Sequence, residues 1–373
     1  MNIIIERAAL LRSLGHVQSV VERRSTIPIL ANVLLRAGNN ELSLAATDME
    51  LEIVETVPAL VTHAGATTAP AHTLYEIVRK LPDGAQIELN TDAASSVLTL
   101  RSGRSQFKLG CLPPEEFPQL SDGSLPHNFE LPAADLRTLI DRTRFAISTE
   151  ETRYYLNGIY IHATKAAQGL AVLRGVATDG HRLARIELPL PEGAVEMPGV
   201  IIPRKAVAEI RKLIDEAAAR IQISLSATKV RIDFDSISVT SKLIDGTFPD
   251  YERVIPVGND KVMAVKAKPL AAAVDRVATI STEKSRAVKL SLNRETLTLS
   301  ANSPEAGSAT EELEVNYGGA LLEIGFNSRY LLDILQQVEG DSVQFLMADA
   351  AAPTIITDAA CPGALFVLMP MRV

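Results

Sequence analysis

The 373-residue chain has no tryptophan, and aromatic residues of all kinds make up only 4% of it. Its two cysteines, Cys111 and Cys361, lie far apart and outside any Cys-x-x-Cys or Cys/His cluster. That argues against a disulfide framework and against a zinc site, and it fits a reducing compartment. The histidines at 16, 63, 72, 127, 162 and 181 are scattered without metal-ligand spacing, so neither a metal nor a cofactor is expected. A phosphate-binding GxxxxGK[ST] loop, an HExxH helix, a GxSxG elbow and a GxGxxG fingerprint are all missing, and no enzymatic activity is expected. The start, MNIIIERAALLRSL, is interrupted by Glu6, Arg7 and Arg12 and does not read as a signal peptide. The longest apolar runs, such as ALFVLMPM, are too short for a membrane span. A soluble, cytoplasmic protein is expected. What the chain does have is 47% hydrophobic residues, mostly Leu, Ile, Val and Ala, enough for a patterned core in two or three domains.

It also repeats itself. Ala46-Thr47-Asp48 and Ala177-Thr178-Asp179 lie 131 residues apart, and so do Phe117-Pro118 and Phe248-Pro249. Two unrelated matches sharing one offset mark an internal repeat. Each copy reads as an amphipathic helix, strands, a second helix and strands again. RAALLRSLGHVQSVV and PAADLRTLIDRTRFAIS open the first two copies, with Leu10, Leu14, Val17 and Val21, then Leu136, Leu139, Ile140 and Ile147, at helical spacing. PAHTLYEIVRKL and PRKAVAEIRKL are the second helices, each with proline at its first turn. A weaker third copy carries KPLAAAVDRVATIS and NSRYLLDILQQVE as its helices. The expected fold is α+β, with three tandem similar domains at 1–124, 125–256 and 257–373. Each is a doubled helix-plus-antiparallel-sheet unit.

The repeat bears on chemistry. Asp179 and His181 are two apart and on a strand would share a face, which could begin an acid–base pair. A Thr-Asp recurring at one place in a repeat reads better as a strand-end turn. His181 and Arg182 have no counterpart in the first copy and are special to the second.

The net charge is −8, but its distribution matters more than its total. The six helical segments hold 16 basic and 11 acidic residues, a sum of +5 that leaves −13 for the rest. A basic helical surface backed by acidic sheets follows. Copy-end strands could pair edge to edge, and closing the arc into a ring removes its open edges. Two chains would supply twelve helices around a hole of about 25 Å, wide enough for a nucleic-acid duplex held through its phosphates.

STIPILANVLLRA with LSLAATDMELEI, RYYLNGIY, ATDGHRLA, GTFPDYERVIP and the terminal VLMPMRV together resemble the bacterial DNA polymerase III beta subunits, the beta sliding clamps, from Met1 to Val373. The resemblance implies a DNA-clamp fold: a ring-shaped, head-to-tail homodimer with helices inside and sheets outside. It implies a non-catalytic processivity factor that encircles double-stranded DNA without reading its sequence. A clamp loader would place it there, and the replicative DNA polymerase and other clamp-binding-motif proteins would be its partners, with no membrane. Clients would dock a peptide between the second and third domains. The pocket carried over by resemblance is Leu156, Thr178, Gly180, His181, Arg182, Leu183, Pro249, Arg253, Val254, Val367, Leu368, Met369, Pro370, Met371 and Arg372. Gly180 would admit a peptide backbone, and Arg182, Arg253 and Arg372 would anchor it at the rim. DNA contacts carried over the same way are Arg24, Tyr154, Tyr155, Arg204 and Lys205; Glu150 stands where the family has a glutamine. The dimer seam would set Phe107 and Leu109 against Thr279 and Ile280, with Arg104 facing Glu305 and Glu311. Gly307 and Ser308 replace carboxylates frequent in the family, so apolar packing carries more of the seam.

Overall fold

The computed structural model describes residues 1–22, 26–91, 96–120, 123–215, 219–281 and 286–373. The first repeat holds β1 (Asn2–Glu6), α1 (Arg7–Val17), β2 (Asn32–Gly38), β3 (Glu41–Thr47), β4 (Leu51–Pro58) and β5 (Leu60–His63), then β6 (Gly65–Pro70), α2 (Ala71–Lys80), β7 (Gln86–Thr91), β8 (Val97–Ser102) and β9 (Ser105–Gly110). The second holds β10 (His127–Pro132), α3 (Ala133–Thr143), β11 (Gly158–Lys165), β12 (Ala171–Thr178) and β13 (Arg182–Pro189), then β14 (Val200–Pro203), α4 (Arg204–Ile214), β15 (Arg220–Leu225), β16 (Lys229–Phe234) and β17 (Ile237–Lys242). The third holds β18 (Lys261–Lys266), α5 (Ala267–Ala278), β19 (Ala287–Asn293), β20 (Thr296–Ser303), β21 (Gly307–Glu314) and β22 (Asn316–Tyr317), then β23 (Leu322–Asn327), α6 (Ser328–Leu335), β24 (Ser342–Met347), β25 (Thr354–Asp358) and β26 (Ala364–Leu368).

All six expected helices are present, but each copy opens on a strand, not a helix. NIIIE, HNFELP and KVMAVK alternate with period two and run into α1, α3 and α5 without a loop. Being short, they merge on the page with the helical pattern behind them. The half-repeat is therefore strand, helix and three strands, made six times. Pro70, Pro132 and Pro203 close the strands before α2, α3 and α4, where the missing N–H of proline costs nothing. Helix α3 stops at Thr143, and Ile147 is already extended, so it does not extend the helical stripe of Leu136, Leu139 and Ile140.

The chain divides into two compact units: residues 1–136, 191–198 and 205–243, and residues 137–190, 199–204 and 244–373. In the first, one sheet runs β5-β1-β7-β8-β9 and another runs β10-β15-β16-β17-β4-β3-β2-β6. The second sheet is continuous across two copies because β17 pairs antiparallel with β4. Helices α1 and α2 pack on one another, and α1 also packs on β3 and β4. Leu10 and Leu14 on α1 and Leu74 on α2 are fully buried, each stabilising by roughly 2 kcal/mol. In the second unit a nine-stranded sheet, β14-β11-β12-β13-β26-β25-β24-β18-β22, joins copies two and three through β13 and β26. A four-stranded sheet, β21-β20-β19-β23, supports α5. No helix among the described residues is long and apolar enough to cross a membrane.

Candidate functional site

ATDGHRLA folds as the end of β12, a tight turn and the start of β13. The Asp179 carboxylate accepts the backbone N–H of His181 at 2.9 Å and of Arg182 at 3.0 Å. Thr178 Oγ1 accepts from Gly180 N at 3.1 Å and donates to the Arg182 carbonyl at 2.7 Å. The first copy does the same: Asp48 accepts from Glu50 N and Leu51 N at 2.9 and 2.7 Å, and Thr47 from Met49 N at 3.0 Å. Short polar side chains hold such turns by standing in for a backbone carbonyl. The repeated Thr-Asp is a turn, and no catalytic acid is needed to explain it.

Gly180 sits at φ +88°, where a side chain is strained, and an added Cβ would lie 2.6 Å from Arg153 Nη1. The glycine serves the turn. Its open side, where a peptide backbone was expected, is covered by the Arg153 guanidinium.

Arg182 is not a rim residue but a buried knot, 8% exposed. Its Nε donates to Asp179 Oδ2 at 3.1 Å, Nη1 to Asp333 Oδ2 at 2.5 Å and Nη2 to the Phe145 carbonyl at 2.6 Å. The guanidinium also lies 4.4 Å from the centre of the Tyr330 ring and 5.2 Å from that of Phe145. A planar group with five donors can satisfy all of these at once; a lysine could not. The exposed His181 ring stacks on Tyr330 with centroids 6.0 Å apart.

Three segments meet here. Leu183 on β13 lies opposite Val367 on β26, and the Met369 N–H donates to the His181 carbonyl at 2.9 Å. Leu156, Leu183 and Val367 are buried in one apolar cluster with Val176, Ile201, Phe248 and Tyr251. Leu368 is buried beside it on β26. Above this floor the surface exposes Val254 at 48% and Met369 at 40%. Pro249, Arg253 and Arg372 are exposed as well, whereas Thr178, Pro370 and Met371 are half-buried. The tail is fixed by the Met371 N–H, which donates to the Gly325 carbonyl at 2.9 Å; a Cβ on Gly325 would strike Val373. A cavity of about 410 Å³ opens beside the turn, lined in part by Glu150, His181, Asn327, Arg329 and Tyr330. Asn327 also caps α6 by accepting from Arg329 N and Tyr330 N at 3.0 and 3.3 Å. Tyr330, Asn327 and Arg153 escape a sequence reading because nothing in NSRYLLD or ETRYYL signals that the turn at 178–182 packs on them.

Of the expected DNA contacts, Arg24 lies outside the described residues. Tyr154 is 53% exposed and meets the half-buried Tyr155 edge to face, their ring centroids 5.8 Å apart. Arg204 is exposed, while Lys205 is ion-paired to Asp48 and lies 3.8 Å from Glu22. Glu150 is gripped by Arg153 through two hydrogen bonds of 2.8 and 2.5 Å, which hold its carboxyl below the usual range. Of the expected seam, Arg104 is exposed beside β9, on which Phe107 is half-buried and Leu109 buried. Thr279 and Ile280 follow α5. Glu305 is exposed, and Glu311 already holds Arg276 of its own chain at 3.0 and 2.5 Å.

Family comparison matches the whole length of this fold. Models of the DNA polymerase III beta subunit match at residues 1–121 (N-terminal domain), 130–250 (central domain) and 252–372 (C-terminal domain). The chain belongs to the DNA polymerase III beta subunit family. It is 53% identical to the beta sliding clamp of Caulobacter vibrioides and 39% identical to that of Escherichia coli K12, each over 373 residues and the full length of both chains. Its fold superposes on a C. crescentus beta sliding clamp with a TM-score of 0.98 at 53% identity, covering 100% of this chain and 99% of that one. It also matches a Bartonella birtlesii sliding clamp bound to griselimycin, with a TM-score of 0.97, 50% identity and full coverage of both. The chain is thus a sliding clamp, a non-catalytic subunit of DNA polymerase III.

Proposed function

We propose that two copies close head to tail into a ring around duplex DNA, and that the Leu183–Val367 surface is where clients dock. The free strand ends carry this reading. Within the chain, third strands of half-repeats pair across copies twice, β4 with β17 and β13 with β26. Two third strands are left, β9 from a second half and β21 from a first half, each at the edge of its sheet. They are the same two kinds that pair elsewhere, so β9 of one chain fits β21 of another, and two such joints close the assembly. Charge agrees: Arg101, Arg104 and Lys108 mark β8 and β9, whereas β21 presents Glu311, Glu312 and Glu314. Phe107, Leu109, Thr279 and Ile280 supply the apolar part of this seam.

The three domains at 1–124, 125–256 and 257–373 would turn their helices to the DNA. There Tyr154, Tyr155, Arg204 and Arg24 contact phosphates without reading bases. Arg153 neutralises Glu150, so the acid in the place of the family's glutamine does not repel DNA. A loader opens the ring, and retention is topological, which suits a cytoplasmic replication protein.

The client site is assigned to one of two equivalent junctions for a physical reason. The 131-residue offset puts Glu52 where Leu183 stands, and Glu52 pairs with Thr240 across the strands as Leu183 does with Val367. At this place the second unit sets leucine against valine and the first sets glutamate against threonine. Griselimycin, bound by the Bartonella relative, would be held here by Val254, Met369 and His181.

Retention on DNA tests the ring. After loading onto a nicked circular plasmid by a clamp loader and ATP, the protein should stay on the circle and leave once the circle is cut. Departure from both at one rate overturns the ring reading.

A further inference from the structure

Phe248-Pro249-Asp250-Tyr251-Glu252-Arg253-Val254 carries three residues of the proposed client edge, Pro249, Arg253 and Val254. It has little regular structure of its own beyond a 3₁₀ turn at Tyr251–Val254. What holds it down is a buried polar network. Arg174 on β12, 3% exposed, donates from Nη1 to Tyr251 Oη at 2.7 Å and to Glu252 Oε1 at 2.5 Å, and from Nε to Glu187 Oε1 at 2.9 Å. His162 Nε2 on β11 lies 2.9 Å from the same Tyr251 Oη. Tyr160 stacks between the His162 and Phe248 rings, with centroids 4.7 and 4.9 Å away.

Donor rules set the direction of these bonds. Arginine can only donate, so Tyr251 Oη accepts from Arg174. Its own hydrogen can then be given to His162 Nε2 when that nitrogen is unprotonated, as in the tautomer with the proton on Nδ1. The groups facing His162 are Tyr160 on its own strand, Arg174 on β12, Arg185 and Glu187 on β13, and Tyr251 and Glu252 on the turn. Burial first and the Arg174 charge second push the His162 pKa down, with a backbone hydrogen bond at Ala163 and then the Glu252 charge opposing.

The first repeat shows that the fold itself does not require this network. The offset places Ser43, Val54 and Leu120 at the positions of Arg174, Arg185 and Tyr251. There a cavity of about 250 Å³ remains beneath the connecting segment.

We infer that Tyr251, held by Arg174 and by neutral His162, is a positioning residue that fixes the 249–254 edge of the client site, so that client binding weakens when His162 is protonated. This rests on the client site proposed above. Full-length protein is titrated with labelled griselimycin from pH 7.5 to 5.5. Tyr251→Phe should weaken binding at pH 7.5 by about three- to tenfold, the equivalent of one buried hydrogen bond. His162→Leu should weaken it at every pH. His162→Gln, which keeps an acceptor near the Nε2 position, should restore binding and make it level across the range, whereas wild type loses affinity toward pH 5.5. A loss that persists in His162→Gln and disappears in His181→Gln overturns the inference, as does unchanged binding in Tyr251→Phe. Val254→Glu with Met369→Glu separates the two readings. If that pair abolishes binding while Tyr251→Phe does nothing, only the positioning role fails; if the pair changes nothing, the client site itself is wrong.

Discussion

Removing Arg182 should loosen the joint between copies two and three of the second unit. Three donations from a side chain 8% exposed hold together the turn at Asp179, the carbonyl of Phe145 and Asp333 on α6. Charge-assisted hydrogen bonds contribute about 1.5–3 kcal/mol each when buried. Here the acids keep some water, with side chains 14% and 26% exposed for Asp179 and Asp333, so the full sum is not available. Arg182→Ala should therefore cost about 3 kcal/mol, the range for breaking a largely buried ion pair. Unfolding of a chain with two compact units need not be two-state, so the assay is native-state hydrogen exchange at the β13 amides that pair with β26. Exchange through local opening at Leu183 and Arg185 should accelerate about 100-fold. In a cycle with Asp333→Ala the two losses should fall short of additive by about 1–2 kcal/mol. Exchange within threefold of wild type, or strict additivity, would refute the idea that this arginine ties the joint.

At the turn, Gly180→Ala should cost about 1–2 kcal/mol because it adds a Cβ at positive φ against Arg153. Met49→Gly, at the matching turn where φ is +75°, should cost nothing or stabilise slightly; thermal melts of both variants check this. His162 has a pKa lowered in the folded protein, so on acidification the unfolded chain takes up its proton first. Its contribution is present above the ordinary value of about 6.5 and is lost as pH falls below it. Denaturation midpoints between pH 7.5 and 5 should drop less in His162→Gln than in wild type. At the seam, Leu109→Asp should raise the dimer dissociation constant at least about 100-fold. Arg104→Glu should change it by less than about tenfold, since exposed ion pairs contribute about 0–1 kcal/mol. Sedimentation at low and high salt measures both, and a steep loss of dimer with salt would contradict an apolar seam.

The repeat was legible because an internal copy leaves its mark directly in the order of residues. One 131-residue offset was enough to identify Asp48 and Asp179 as turn residues, and their hydrogen bonds agree. Helical periodicity was legible in the opening helices of the first two copies, since burial of one face demands a stripe at that spacing. The stripe was read too far, however, for α1 ends at Val17 before Val21 and α3 ends before Ile147. The strands that precede them were missed, because five or six alternating residues running into a helix leave no break in hydropathy. The position of ATDGHRLA relative to VLMPM was available only through resemblance.

Which residues were anchors and which were surface depended on contacts distant in sequence. Arg182 looked like a polar rim group, but Asp333 lies 151 residues away and Phe145 lies 37 away. Glu150 stands where the family has a glutamine, and its pairing with Arg153 is visible only in the fold. Tyr251 looked like part of a family signature, and its hydroxyl proved to be clamped by Arg174, 77 residues earlier. Composition, periodicity and repetition are properties of neighbours along the chain, and those the sequence alone determined. The environment of a charged or polar side chain is set by whatever the folded sheets bring within about 3 Å of it, and only the tertiary structure decides that.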